Sequence, residues 1–224
     1  MNEGKNYVIA DGQFYFRNGD RFGVIPVQVL HNYWKCPDAE NAPKDYEDCP
    51  ERTEKLVGLF SKYCEKTDSI LEIGCGIGRN LNALFNNGFT KLEGVDINTK
   101  ALQLGREIYP KTVGAIPLYN YSIEDYLIFS AGKKFDVIFS MGVMMHLHPS
   151  SQWVFKCVAD NAKKYIITAE DERYASYRAI PRNYKDIFEE YDFKQVYEDY
   201  VDYDNNIDDT GRVSLMYRVL KNEA

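Results

Sequence analysis

The chain has 224 residues, enough for one domain with a sizeable core and too few for a two-domain enzyme, since single domains run to about 250 residues. Its net charge of -7 argues against broad, salt-driven binding to nucleic acid or to an anionic membrane and favours a small-molecule partner. The start, MNEGKNYVIADGQ, has neither the basic nor the apolar region of a signal peptide, and no apolar run approaches the roughly 18 residues that span a bilayer.

In the first 49 residues, QFYFRNGDRFGVI has an Asn18-Gly19 step between aromatic-rich arms, which predicts a β-hairpin; HNYWK follows it, and NAPKDYEDCP reads as a loop. From residue 50 onward apolar strands alternate with amphipathic segments, the pattern of an open sheet with helices on both faces. Leu56, Leu59, Phe60 and Tyr63 fall at helical spacing over 50–66, followed by strand SILEIG and a helix that begins in a glycine turn. LEGVDI is a second strand, NTKALQLGREIY a helix with Asn98 as its cap, IPLYNYS a third strand and KFDVIFSMG a fourth. A helix near 150–161 leads into strand KYIITAE. The last portion predicts a helix near 183–190, strand FKQVYEDYV, an acidic loop DYDNNIDDTGR and strand VSLMYRVL, so the sheet should close on an antiparallel pair.

The five cysteines, at positions 36, 49, 64, 75 and 157, form no CxxC pair and are odd in number, which predicts free thiols and a reducing, cytoplasmic compartment. His31, Cys36 and Cys49 match no zinc spacing, and no metal is expected. Chemistry concentrates in LEIGCGIGRN, residues 71–80, where Gly74, Gly76 and Gly78 give GxGxG rather than the GxGxxG of dinucleotide binders. Glu72 stands before the first glycine, where a carboxylate would repel a pyrophosphate and attract a cation. S-adenosylmethionine carries such a charge. Asp96 closes the second strand 24 residues after Glu72, near the spacing at which an acid meets a ribose; its plain alternative is a solvated acid at a helix start.

Through LEIGCGIGRN, LEGVDI, YSIEDY and FDVIFSMGVMMHLHP, in that order, the sequence resembles the class I S-adenosylmethionine-dependent methyltransferase family over residues 50 to about 220. The resemblance implies a Rossmann-like, seven-stranded, mostly parallel α/β sheet with an antiparallel last strand, residues 50–224 forming the methyltransferase domain and residues 1–49 a hairpin and substrate-covering segment. It implies that Gly74, Cys75, Gly76 and Gly78 form the cofactor turn, with Glu72 and Asn80 near the amino-acid portion, Asp96 on the ribose and Ile97 beside the adenine. Ser122, Ile123 and Glu124 would occupy the adenine-contact segment, although Ser-Ile-Glu-Asp equally suits a helix cap. Ser140, Met141 and Gly142 would line the methyl side.

Methyl transfer is an in-line displacement, so the protein mainly aligns acceptor, methyl carbon and sulfur. For a hydroxyl acceptor a base assists, and His146 or His148 in MMHLHP is placed to serve, His146 first. Arg173, Arg178 and Arg182, interleaved with Tyr174, Tyr177 and Tyr184, suit phosphate or carboxylate recognition, with surface salt bridging as the plain alternative. Tyr33 and Trp34 could close over the cofactor or simply belong to the core. The expectation is methylation of oxygen, with nitrogen as the second choice, on a small polar, anionic acceptor such as a sugar, nucleotide-linked sugar or phosphorylated metabolite, by a monomer or homodimer. A protein or RNA methyltransferase and a non-catalytic cofactor-binding subunit are the alternatives.

Overall fold

The computed structural model describes residues 7–10, 13–18, 21–36, 42–47, 49–174, 176, 178–202 and 214–224. Three strands, β1 (Tyr7–Ala10), β2 (Gln13–Asn18) and β3 (Arg21–Val24), form an antiparallel sheet in that order. The expected hairpin arms are β2 and β3, with Asn18 paired to Arg21, while Gly19 lies outside the described residues. β1 is an addition: four residues are too few to display a period of two. HNYWK is not the end of a hairpin but the second half of a helix, α1 (Val27–Lys35), whose Val27, Leu30 and Trp34 recur at i, i+3 and i+7. Within NAPKDYEDCP a short 3-10 turn, Pro43–Tyr46, starts on a proline whose missing N–H would have no helical partner there.

From residue 50 the expected alternation is present. α2 (Pro50–Tyr63) precedes β4 (Ser69–Ile73), α3 (Arg79–Asn86), β5 (Lys91–Asp96), α4 (Thr99–Ile108) and β6 (Leu118–Asn120). α5 (Ile123–Phe129), β7 (Phe135–Met141), α6 (Trp153–Asn161) and β8 (Ala162–Glu170) follow. The chain ends with α7 (Tyr184–Glu189), β9 (Phe193–Asp202) and β10 (Ser214–Asn222); the acidic loop expected between the last two strands falls on 203–213, outside the described residues. Asn98 caps α4 by accepting the Ala101 N–H at 3.1 Å, which satisfies one of the donors a helix start leaves open.

The seven strands lie in the order β6-β5-β4-β7-β8-β10-β9. β4 through β8 pair in parallel, and β10 runs antiparallel to both its neighbours. Alternation sends Leu71 and Ile73 of β4 to one face, against α5, α6 and α7, and Ile70 to the other, against α2, α3 and α4. Leu56 and Phe60 of α2 are fully buried on that second face, each stabilising the fold by roughly 2 kcal/mol through apolar area removed from water. The sheet order reverses at β4, so the loops after β4 and β7 diverge and leave a crevice at the carboxyl ends of the strands.

Candidate active site

That crevice is a cavity whose floor comes from the ends of β4, β5 and β7 and whose cover comes from α1. The turn after β4 is held by the sheet itself: the Gly74 and Cys75 N–H groups donate to the Val95 carbonyl at 2.8 and 3.1 Å, and Gly76 N–H donates to Asp96 Oδ2 at 2.7 Å. Gly74 has φ +70, and a Cβ there would lie 2.2 Å from Val143 Cγ2, so only glycine lets the turn pass under the loop after β7. Beneath it, Asn80 donates to Glu72 Oε1 at 2.8 Å, and Thr53 donates to Asn80 Oδ1 at 3.3 Å. Glu72 is 2% exposed and its Oε2 has no hydrogen-bond partner. Burial pushes its carboxyl up to about 8, against the Asn80 hydrogen bond and the Arg79 charge. An unsatisfied buried carboxylate oxygen on a cavity wall is a seat for a cationic group.

Asp96 uses Oδ1 for the Asn98 N–H at 2.7 Å and Oδ2 for Gly76, and Ile97 joins it on the cavity wall. Farther along, Ser122 caps α5 by accepting the Asp125 N–H at 3.1 Å and still borders the cavity with Ile123. Glu124 Oε1 accepts from Ser151 Oγ at 2.7 Å and meets His31 Nε2 at 3.2 Å. Burial raises this carboxyl, and the His31 and Ser151 hydrogen bonds outweigh burial to bring it below its ordinary value.

Beyond Met141 and Gly142 the chain makes a tight turn from Val143 to Leu147 that carries His146. Two buried charges hold this turn from opposite ends of its peptide dipoles. The Glu170 carboxylate accepts the N–H groups of Val143 at 2.9 Å, Met144 at 3.2 Å and Met145 at 3.2 Å, and the Ser140 hydroxyl. The Arg182 guanidinium donates to the carbonyls of Leu147 at 2.6 Å and Met144 at 3.2 Å. His146 Nδ1 meets the Arg178 carbonyl at 2.6 Å, and its ring lies 4.3 Å from that of Trp34. His148 has both nitrogens engaged, Nδ1 by Ser150 Oγ at 2.7 Å and Nε2 by the Ile25 carbonyl at 2.7 Å, and so ties the N-terminal segment to the sheet.

Residues 70–164 match the model of a family described as "Methyltransferase domain". The chain also has the fold of solved methyltransferases. One is the magnesium protoporphyrin IX methyltransferase of Synechocystis with bound S-adenosylmethionine (12% identity, 87% of this chain and 96% of that one covered, TM-score 0.68). A second is the N-methyltransferase NodS of Bradyrhizobium japonicum with S-adenosylhomocysteine (18%, 88% and 98%, 0.62), and a third a putative RNA methyltransferase of Pyrococcus horikoshii (10%, 88% and 94%, 0.63). Residues 70–164 match a methyltransferase domain, and the chain has the fold of the S-adenosylmethionine-dependent methyltransferases named above. No curated protein matches the chain at the level of sequence.

The residues of the cavity fit S-adenosylmethionine on two structural grounds, the orphaned Glu72 oxygen and the glycine cradle that a Cβ would fill. Fifteen of the residues singled out in the sequence line it; besides those placed above they include Cys75, Asn80, Trp34 and His148. Seven do not. Gly78 and Ser140 sit behind the wall, Ser140 fully buried with its hydroxyl on Glu170. Arg182 is 8% exposed and spent on carbonyls, and Tyr184 is fully buried in the core beside Phe155. The Arg178 guanidinium lies 4.1 Å from the Tyr33 ring centroid and that of Arg173 3.8 Å from the Tyr200 ring centroid, so each arginine is paired with an aromatic ring outside the cavity lining. His31, Arg79, Leu147 and Val143 line it without having been singled out for it. Arg79 directly extends the glycine turn, a readable signal; Glu170, which fixes the turn after β7 from outside the wall, left none. Among the described residues no group of three or more His, Cys, Asp or Glu side chains is placed to hold a metal ion, and no helix is long and apolar enough to cross a membrane.

Proposed function

We propose that this methyltransferase acts on an oxygen atom of a small acceptor, with His146 as general base. One observation carries the reading. A carbonyl can only accept, so the bond to the Arg178 carbonyl puts the imidazole proton on Nδ1 and leaves the Nε2 lone pair available on a residue that lines the cavity beside Gly142 and Val143. Burial pushes the imidazole down to about 4; the Arg178 hydrogen bond works against this, and the Arg178 and Arg182 charges add to it. The ring is therefore neutral and proton-accepting at neutral pH. When bound, S-adenosylmethionine supplies an electrophilic methyl carbon and a thioether leaving group. The chain's own residues align the partners, exclude water and receive the acceptor's proton.

Within this reading Glu72 and Asn80 hold the cofactor's amino-acid end, Asp96 the ribose, and Ser122, Ile123 and Glu124 the adenine. Residues 1–49 act as the cover, through α1. A phosphorylated or nucleotide-linked sugar draws little from the arginine-tyrosine loop, because Arg182 and Tyr184 serve the scaffold and Arg173 and Arg178 stand outside the cavity. The charge of -7 supports a small acceptor over RNA, and five free cysteines support a cytoplasmic location. The test is His146→Ala, assayed for S-adenosylhomocysteine formation against phenols, sugar phosphates and nucleotide sugars. Cofactor binding should persist while turnover falls about hundredfold; full turnover would overturn the role of His146.

A further inference from the structure

The two ends of the cavity differ in chemistry. Glu72, Asp96 and Glu124 give the cofactor end three carboxyl groups, whereas beyond Gly142 the wall has Leu30 and Trp34 from α1 with Val143, Leu147, His146 and His148. Among the described residues Arg79 is the only lysine or arginine that lines the cavity, and it belongs to the glycine turn. Among the described residues no lysine or arginine side chain lines the acceptor end, the Arg178 and Arg182 guanidinium groups lying behind it. That end presents a flat indole, tilted at 42° to the His146 ring. The Trp34 Nε1–H is buried without a hydrogen-bond partner, a cost that a ligand oxygen would remove.

We propose that the acceptor is a neutral aromatic alcohol of the phenol class, its ring against Leu30, Val143 and Leu147 and its hydroxyl placed to accept from Trp34 Nε1–H and donate to His146 Nε2. This rests on the methyl-transfer reading above. The acceptor oxygen forms its bond to the methyl carbon as the carbon–sulfur bond breaks with its electron pair going to sulfur, and the hydroxyl proton ends on Nε2, leaving an aryl methyl ether, a thioether and an imidazolium. The proton affinity of His146 agrees with this choice. A base held near 4 takes a proton more readily from a phenol, at about 10, than from a hydroxyl of water-like acidity, at about 15.7. Trp34 is the specificity-determining residue: its one buried donor suits a hydroxyl oxygen.

The test uses the full chain saturated with S-adenosylhomocysteine, with saturation established by calorimetry, and titrates it with β-naphthol while following heat and tryptophan fluorescence. Saturable binding is expected, with UDP-glucose and naphthalene each binding at least about tenfold more weakly, the loss of one buried hydrogen bond in the case of naphthalene. Trp34→Phe keeps a ring and removes the N–H; it should weaken β-naphthol about tenfold and leave S-adenosylhomocysteine within about twofold. With S-adenosylmethionine present, β-naphthol should be converted to its methyl ether. Absence of β-naphthol binding to the saturated protein, equal binding of naphthalene, or preference for UDP-glucose overturns the proposal even if Trp34→Phe fails to fold. Failure of the wild-type chain to bind S-adenosylhomocysteine overturns the methyl-transfer reading instead, and this inference with it.

Discussion

The glycine turn and helix α1 face each other across one cavity, yet the turn is fixed from within the sheet and the helix is fastened by a few side chains. Gly74, Cys75 and Gly76 donate into β5, and the neighbouring 143–147 turn is gripped by Glu170 on its N–H groups and Arg182 on its carbonyls. α1 has a single fully buried side chain, Leu30. Its other ties include the His31–Glu124 pair, the Trp34–His146 ring contact, the Arg178 guanidinium over Tyr33 and the Ile25 carbonyl just before it on His148. A wall whose polar groups are satisfied inside the sheet opens only with the sheet, whereas a short helix with little buried apolar surface can open by itself. The contrast separates a rigid wall of the cavity from a detachable one.

The largest expected effect tests the rigid side. Glu170→Ala leaves the Val143, Met144 and Met145 N–H groups without their acceptor, and unpaired buried donors cost about 1–3 kcal/mol each. We expect at least about 3 kcal/mol lost in urea unfolding, with partial recovery in Glu170→Gln, which retains an acceptor oxygen. A loss below about 1 kcal/mol would show that the clamp is not what fixes this wall. Next comes Gly74→Ala. Its methyl would meet Val143 and sit on a left-handed backbone, so about 2 kcal/mol of stability and more than tenfold in S-adenosylhomocysteine affinity should go together. Intact affinity in calorimetry would mean that the turn yields where the geometry says it cannot.

The same division governs what the sequence discloses. Strands β4, β5, β7 and β8 are short apolar runs bounded by turns, and α4 announces itself through Asn98, so local pattern sufficed; the glycine spacing and Glu72 marked one wall of the cavity in the same way. Helix α1 carries its spacing at Val27, Leu30 and Trp34, but nine residues after a hairpin, starting at Pro26 without a side-chain cap, give a weak signal. The clamp gives none. Glu170 reaches back 27 residues to Val143, and Arg182 reaches 35 to Leu147, contacts that exist only once β7 and β8 lie side by side. For that reason Arg182 and Tyr184 read as candidates for an anion site when their surroundings make them parts of the scaffold.

A third prediction concerns charge within the seat. The Glu72 carboxyl rises from an ordinary 4.5 to about 8, so its contribution to the stability of the cofactor-free protein is present below about 4.5 and lost as pH rises through about 8. Binding should run the other way, because a cofactor ammonium placed at Glu72 would pair with the charged carboxylate. Affinity for S-adenosylhomocysteine should therefore rise up to about tenfold per pH unit on approaching 8 and then level off. Glu72→Gln should flatten this profile, and a wild-type profile that is already flat would remove Glu72 from the ammonium site.

The smallest effect belongs to the cover. His31 and Glu124 side chains are 26% and 12% exposed, so their pair is partly screened, and His31→Ala should cost the whole protein no more than about 1 kcal/mol. Locally the consequence is larger. Without the His31 hydrogen bond α1 keeps the Trp34 contact and Leu30 alone on the cavity side, and limited proteolysis between residues 25 and 36 should accelerate several-fold while cleavage within 70–164 stays unchanged. The Glu124 carboxyl should also move up toward its ordinary value as one of the two hydrogen bonds that outweigh burial is lost. His31→Gln restores a donor without a titrating ring, so it should recover the protection of α1. Equal cleavage of wild type, His31→Ala and His31→Gln would place the hold on α1 elsewhere, in Leu30 and the aromatic contacts, and the cover would then open only when the Trp34–His146 pair parts.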